Sequence, residues 1–270
     1  MVSAFRGWND GGEAATTAAA YLRDRWGAEP VGDIDPEEFL DFQVTRPTVR
    51  LEGGVTRRIQ WPPNDFFHAS LPDRDVILFL GIEPNVRWRT FTEALLEAAA
   101  GFEVDTSVTL GAFLADVPHT LPTPVAGSAP DDRQAAELGI SASGYEGPTG
   151  IVGVWQDAAA RAGLRSFSLW AAVPHYLPGG PNPKAALALV RKVAMVAGVA
   201  VETDTLARAA TAWEEQVTAT IDENQELRGY VQRLEEGASE RQGTIDIPSG
   251  ETLAAELEAF LREQRGEQDR

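Results

Sequence analysis

The sequence predicts an α/β protein, a mainly parallel sheet covered by helices, because strand-like and helix-like segments alternate along most of its length. Apolar runs such as Asp75-Val76-Ile77-Leu78-Phe79-Leu80-Gly81 have the length and content of buried strands. The segments between them repeat apolar residues at helical spacing and carry helix punctuation: Asn182-Pro183 supplies a cap and a first-turn proline, while Gly27 and Gly198 close helices.

In chain order, residues 2–5 read as a buried strand, and residues 13–26 as a helix with Ala15, Ala18, Ala19, Leu22 and Trp26 on one face. Residues 75–81 form the clearest strand, 89–101 the helix after it, and 107–114 the next strand. A Pro- and Gly-rich stretch over 118–130 leads to a short helix at 131–138 and a better one at 151–163. Residues 167–173 follow as strand and 182–198 as helix.

Two segments stand outside the alternation. Thr48 to Ile59 holds two β-rich runs around Gly53-Gly54, a hairpin inserted at about 42–61. Its pattern predicts an apolar face of Val49, Leu51, Val55 and Ile59 opposite a basic face of Arg50, Arg57 and Arg58. An isolated hairpin is marginal in water, so an oligomer contact is expected to cover the apolar face. Beyond residue 202, the positions Trp213, Val217, Thr220, Asn224, Leu227, Val231 and Leu234 advance by alternating four and three, as in a coiled-coil seam or helical hairpin. Leu253, Leu257, Phe260 and Leu261 form a second stripe. The expected organisation is an α/β core over 1–202, a helical lid or arm over 203–265, and a disordered tail over 266–270.

Charge narrows the partners. Asp and Glu total 41 against 23 Lys and Arg, a formal net charge of -18, which repels phosphate backbones and argues against nucleic acid. The absence of cysteine removes disulfides, thiolate metal sites and Cys nucleophiles, and suits a reducing cytoplasm. The longest apolar run, 185–201, is interrupted by Arg191 and Lys192, so neither a signal peptide nor a membrane span is expected.

Chemistry, if any, comes from polar residues at strand ends. Phe5-Arg6-Gly7-Trp8-Asn9-Asp10-Gly11-Gly12 joins the first strand to the first helix, where an open α/β sheet binds ligands and glycines admit close backbone approach. Asn9 or Asp10 equally suits a helix cap. His119 and His175 recur in matching Val-Pro-His contexts after strands, Glu83 ends another strand, and Tyr145 to Gly150 opens a helix with a glycine-containing turn. The candidate ligand-binding set is Asn9, Asp10, Gly11, Glu83, Asp116, His119, Glu146, Gly147, Thr149 and His175. Histidine with carboxylate suits a metal or hydrolase site, yet no HExxH, GxSxG, Walker A or GxGxxG pattern occurs, so neither metal nor cofactor is expected. Phosphate or nucleoside binding at helix N-termini stays open, although Asp10 and Glu146 would oppose an anion.

Five ordered motifs together carry a resemblance: GWNDGG at Gly7 to Gly12, GIEPNVRW at Gly81 to Trp88, GAFLADVPHT at Gly111 to Thr120, YEGPTGIVGV at Tyr145 to Val154, and VPHYLPGGPNPKAAL at Val173 to Leu187. From Val2 to about Leu261 the chain resembles the proteasome assembly chaperone 2 family, in its high-GC Gram-positive bacterial branch. The resemblance implies a three-layer α/β/α core like that of nucleoside phosphorylases and related hydrolases. It also implies a hairpin used in oligomer contacts, a trimer, and a C-terminal helical region over a ligand cleft. Relatives in eukaryotes and archaea assemble proteasome α-subunits, while the bacterial branch has no established reaction, and an enzyme-like fold does not confer enzymology. Relatives carry more residues ahead of the GWND turn, a difference that a late start or a truncation would explain, and often have Ala where Gly11 stands. The expectation is a non-catalytic, cytoplasmic, homo-oligomeric assembly factor with protein clients such as proteasome subunits. The alternative is a nucleoside- or phosphate-type binding protein, or a hydrolase- or phosphorylase-like enzyme.

Overall fold

The computed structural model describes residues 1–52, 56–142, 146–177 and 179–240. Its strands are β1 (Val2–Arg6), β2 (Glu29–Asp33), β3 (Thr48–Glu52), β4 (Thr56–Gln60), β5 (Asp65–Leu71), β6 (Arg74–Ile82), β7 (Thr106–Ala115), β8 (Val125–Ser128), β9 (Ser141–Ala142) and β10 (Arg165–Pro174). Its helices are α1 (Ala14–Arg25), α2 (Trp88–Gly101), α3 (Asp132–Glu137), α4 (Ile151–Arg161), α5 (Pro183–Ala197), α6 (Asp204–Asp222) and α7 (Gln225–Glu240).

The large sheet runs β2-β5-β6-β1-β7-β10-β8-β9. Its four central strands, β6, β1, β7 and β10, are parallel. Side chains alternate between two apolar layers. Val2, Ala4, Leu78, Leu110 and Leu169 meet the small-residue faces of α1 and α5 and the start of α6. Phe5, Ile77 and Phe79 on the other side meet Phe91 and Leu95 of α2 and Trp155 of α4. The result is three layers, α/β/α. Phe79, Phe91 and Trp155 are completely buried, and each such side chain contributes about 1.5–3 kcal/mol of transfer free energy. Lys192 of α5 points its ammonium at the carbonyls of Leu138 and Gly139, tying the end of α3 to the helix layer.

The sheet is mainly parallel, as expected, and its margins supply the antiparallel pairs. β5 pairs antiparallel with β6, β2 with β5, and β8 with β10. The Pro- and Gly-rich stretch read as connection therefore contains β8, whose Val125 and Ala126 are buried. Its composition hid a strand, because turn residues flank a segment of only four residues.

The hairpin forms, with β3 and β4 paired from Thr48↔Gln60 to Glu52↔Thr56; Gly53, Gly54 and Val55 lie outside the described residues. Its faces need one correction. Arg57 pairs with Leu51, and directly paired residues share a face, so Arg57 joins Val49, Leu51 and Ile59 while Arg50 and Arg58 form the other side. The C-terminal seam is corrected too. Asn224 Oδ1 accepts the Glu226 and Leu227 amides at 3.0 and 3.2 Å, capping α7 and breaking the helix after α6. Thr220, Asn224 and Leu227 are exposed, whereas Ile221, Val231 and Leu234 are buried. The stripe at 253–261 and the tail at 266–270 lie outside the described residues.

Candidate functional site at the carboxyl edge of the sheet

β1, β6, β7 and β10 are parallel, so their carboxyl ends, at Arg6, Ile82, Ala115 and Pro174, share one edge. Glu83 follows β6, and its amide donates to Arg6 O at 2.9 Å. Its Oε1 accepts from Asn9 Nδ2 at 2.8 Å and from the Ile151 amide, in the first turn of α4, at 2.9 Å. Its Oε2 accepts from the Trp8 amide at 3.3 Å. Two glycines make this convergence feasible. Gly7 has φ +148°, and a Cβ there would sit 2.8 Å from Glu83 Cβ; a Cβ on Gly150 would sit 2.0 Å from Asn9 Nδ2. Burial pushes the Glu83 carboxyl above its ordinary range, against the donors from Ile151, Trp8 and Asn9, which pull it down.

Asp10 closes the next helix. Its Oδ1 accepts from the Ala15 and Thr16 amides at 2.8 and 3.2 Å, and its Oδ2 accepts from the Thr16 hydroxyl. Gly11 packs against the Ala112 carbonyl, which a Cβ would approach to 3.3 Å. At α5, Asn182 Oδ1 accepts from the Ala185 amide at 2.9 Å, and the Asn182 amide donates to Gly12 O at 2.7 Å. The N-terminal turns of α1, α4 and α5 are thus occupied from within by Asp10, Glu83 and Asn182. Those are the positions where this class of sheet otherwise receives an anion.

Burial lifts the Asp10 carboxyl to about 6 from an ordinary 3.8, outweighing its bonds to Thr16 and Ala15. A folded state that holds a proton more tightly than the unfolded chain is stabilised below the unfolded pKa. That stability is lost as pH rises through the folded one. The expected loss between pH 3.8 and about 6 is about 3 kcal/mol for Asp10. Asp10→Asn keeps an oxygen for the two amides and removes the titration, so urea unfolding across pH 4–7 should be flatter in the variant by about 2–3 kcal/mol. Equal slopes in the two proteins would mean that Asp10 stays ionised.

A second group sits at the ends of β7 and β10. The His119 amide donates to Tyr176 Oη at 2.8 Å, His119 Nδ1 lies 2.9 Å from the same oxygen, and Nε2 lies 3.0 Å from Thr218 Oγ1 of α6. Lys184 donates to His119 O and to Glu214 Oε2, both at 2.5 Å. Thr120 donates to Glu235 of α7 at 2.5 Å. His175 Nδ1 lies 3.1 Å from Asp116 Oδ1, and Tyr230 Oη reaches Asp116 Oδ1 at 3.3 Å and His175 Nε2 at 3.4 Å. The rings of His175, Tyr176 and Tyr230 meet edge to face at 5.7–5.8 Å. α6 and α7 thereby lie over this end of the edge, leaving a shallow depression lined by Pro118, His119, Asn182, Lys184 and Trp213.

Of the sequence-predicted residues, Asn9 and Glu83 are bonded to each other, Asp10 and Gly11 adjoin them in the same turn, and Asp116, His119 and His175 belong to the second group. Glu146, Gly147 and Thr149 are exposed ahead of α4; Thr149 Oγ1 lies where a Cβ on Gly153 would come within 2.1 Å of it. Tyr176, Lys184, Glu214, Thr218 and Tyr230 escaped the sequence reading. Glu214 and Thr218 carried a signal, since they lie one turn apart on the face that includes Trp213 and Val217. Among the described residues, no group of three or more His, Asp or Glu is placed to hold a metal ion, and no helix is long and apolar enough to cross a membrane.

Known proteins resemble this chain over most of its length. The PAC2 family matches residues 4–221. A proteasome-assembly chaperone homologue from Mycobacterium tuberculosis is 50% identical with a TM-score of 0.78, covering 85% of this chain and 98% of its own. A PAC2 family protein from Streptomyces avermitilis is 44% identical with a TM-score of 0.77, covering 86% and 98%. An archaeal homologue of proteasome-assembly chaperone from Pyrococcus furiosus, 19% identical over 84% of this chain and 93% of its own, shares the fold at a TM-score of 0.60. No protein of curated function matches the sequence.

Proposed function

This chain belongs to the PAC2 family, and on that premise we propose that it acts as a non-catalytic assembly factor for proteasome-type subunits in the cytoplasm. One observation carries the reading: the polar groups at the sheet edge are spent on one another. Glu83 and Asp10 each take three internal donors, and both ring nitrogens of His119, which is 3% exposed, have partners within the chain. A general acid or base must instead reach a substrate within hydrogen-bond distance. The relatives described as proteasome-assembly chaperone homologues support the same direction.

In this reading residues 1–202 form the core, residues from 203 form a lid, and the hairpin mediates self-association as a trimer. Val49, Leu51 and Ile59 are each more than half exposed, as is Trp61 beside them. Such a patch needs cover. Arg50 and Arg58 on its reverse side attract a second copy of a chain whose net charge is -18. A nucleoside- or phosphate-type ligand is the second reading, favoured by Lys184 and His119 at the depression.

Deleting residues 48–60 should reduce the species seen by light scattering to a monomer with a folded core; an unchanged mass would place assembly on another surface. Affinity capture from the source lysate, with mass spectrometry of retained proteins and small molecules, should recover proteasome subunits in stoichiometric amounts. Capture should persist in the His119→Gln, His175→Gln double variant. Turnover of nucleosides, esters or peptides by the purified protein, abolished in that double variant, would overturn the reading.

A further inference from the structure

Independently of any assembly role, we infer that the layer between the sheet and α4 is a water-binding site, in which ordered water joins the Trp155 indole to hydroxyls of β1 and β7. A central parallel strand is ordinarily apolar on both faces. The face toward α1 and α5 follows that rule, with Val2, Val108, Leu110 and Leu169. Side chains alternate along a strand, so Ser3, Ser107, Thr109, Ser166 and Ser168 turn to the α4 side, and all five are buried. Register brings them together: Thr109 pairs with both Ser3 and Ser168, and Ser107 pairs with Ser166.

Two of these hydroxyls have partners. Ser168 Oγ accepts from Trp170 Nε1 at 2.7 Å, and Ser166 Oγ donates to Gln156 O of α4 at 3.4 Å. Among the described residues the Ser3, Ser107 and Thr109 hydroxyls have none. Neither has Nε1 of Trp155, the completely buried indole of α4, a helix that lies against β1, β7 and β10. Buried polar groups in folded proteins are satisfied almost throughout, by the chain or by ordered water. The four atoms are of the right kinds for water. An indole nitrogen only donates, whereas a hydroxyl both donates and accepts, so a water oxygen takes the indole hydrogen and passes its own hydrogens to the hydroxyls. A buried water makes about three hydrogen bonds, and these four groups supply them. The side chains on both sides of the layer are small, with Ser3 and Ser107 in the sheet and Ala158 and Ala159 buried on α4, which favours room for it. Water held there ties α4 to the sheet behind the turn whose Ile151 amide holds Glu83.

Thr109→Val keeps the shape of the side chain and removes one anchor of the water, so Tm of the full chain should fall by about 2–4 °C. A dry layer predicts the opposite sign, because exchanging an unpartnered buried hydroxyl for a methyl group relieves a cost and raises Tm. A high-resolution crystal structure of the wild-type chain should show ordered water at about 2.7–3.2 Å from Trp155 Nε1 and from at least one of the Ser3, Ser107 and Thr109 hydroxyls. An unchanged or raised Tm in Thr109→Val would overturn the inference. So would a crystal structure in which the four atoms bond directly to one another or to the backbone with no water between α4 and the sheet. Should Thr109→Val fail to fold, the wild-type crystal structure decides: water on the indole and a hydroxyl supports the site, and a dry layer refutes it.

Discussion

Replacing Glu83 by leucine should lower unfolding stability by about 3–5 kcal/mol, because three donors would then face an apolar side chain: Asn9 Nδ2 and the Ile151 and Trp8 amides. Each buried donor without a partner costs about 1–3 kcal/mol, with water entering the gap offsetting part of the sum. Glu83→Gln keeps one oxygen for Asn9 and Ile151 but presents an NH₂ toward Trp8, so a loss of about 1–2 kcal/mol is expected. Urea midpoints of the two variants measure the contrast. A leucine variant within about 1 kcal/mol of wild type would mean that water already satisfies those donors.

Gly127→Ala should be comparably damaging, for a steric reason. Gly127 has φ +154°, and a Cβ there would lie 1.7 Å from Ser168 O and 2.8 Å from Ser168 C, both backbone atoms of β10. No rotamer relieves that contact. β8 would have to leave β10, giving up the pairing from Ser168↔Ser128 to Ala171↔Val125. A loss of about 3 kcal/mol or more follows from strain and overpacking together. Gly27→Ala is the matched control, with φ +59° but nothing within 4 Å of the added methyl, and about 1 kcal/mol is expected. Equal thermal shifts in the two variants would sink the argument.

Both sites show what was legible in the sequence. The central strands and their helices were readable because β1, β6, β7 and β10 are buried on both faces: β6 carries a continuous apolar run, and β1, β7 and β10 are apolar apart from small Ser and Thr residues and an end arginine in β1 and β10. Gly7 to Gly12 was readable as a loop of close approach, but not what approaches: the partner is Glu83, a contact spanning 74 residues from Asn9. β8 was hidden because a short antiparallel strand beside prolines lacks period and length. Past Trp213, heptad spacing continued through Asn224, but Asn224 caps a new helix, and local hydrogen bonding overrode the periodicity. Arg57 was placed on the wrong face because face assignment depends on pairing register across the turn.

Lys184 and Lys192 have a practical consequence. They are the only two lysines in a chain with 23 basic residues. Each ammonium is held by backbone carbonyl oxygens, Lys184 by His119 and Lys192 by Leu138 and Gly139. Amine-directed cross-linkers and labels will therefore find few reactive side chains on this protein. Its contacts with copies or clients are better mapped through carboxylate coupling at its 41 acidic residues, or through arginine-directed dicarbonyls aimed at Arg50 and Arg58 of the hairpin.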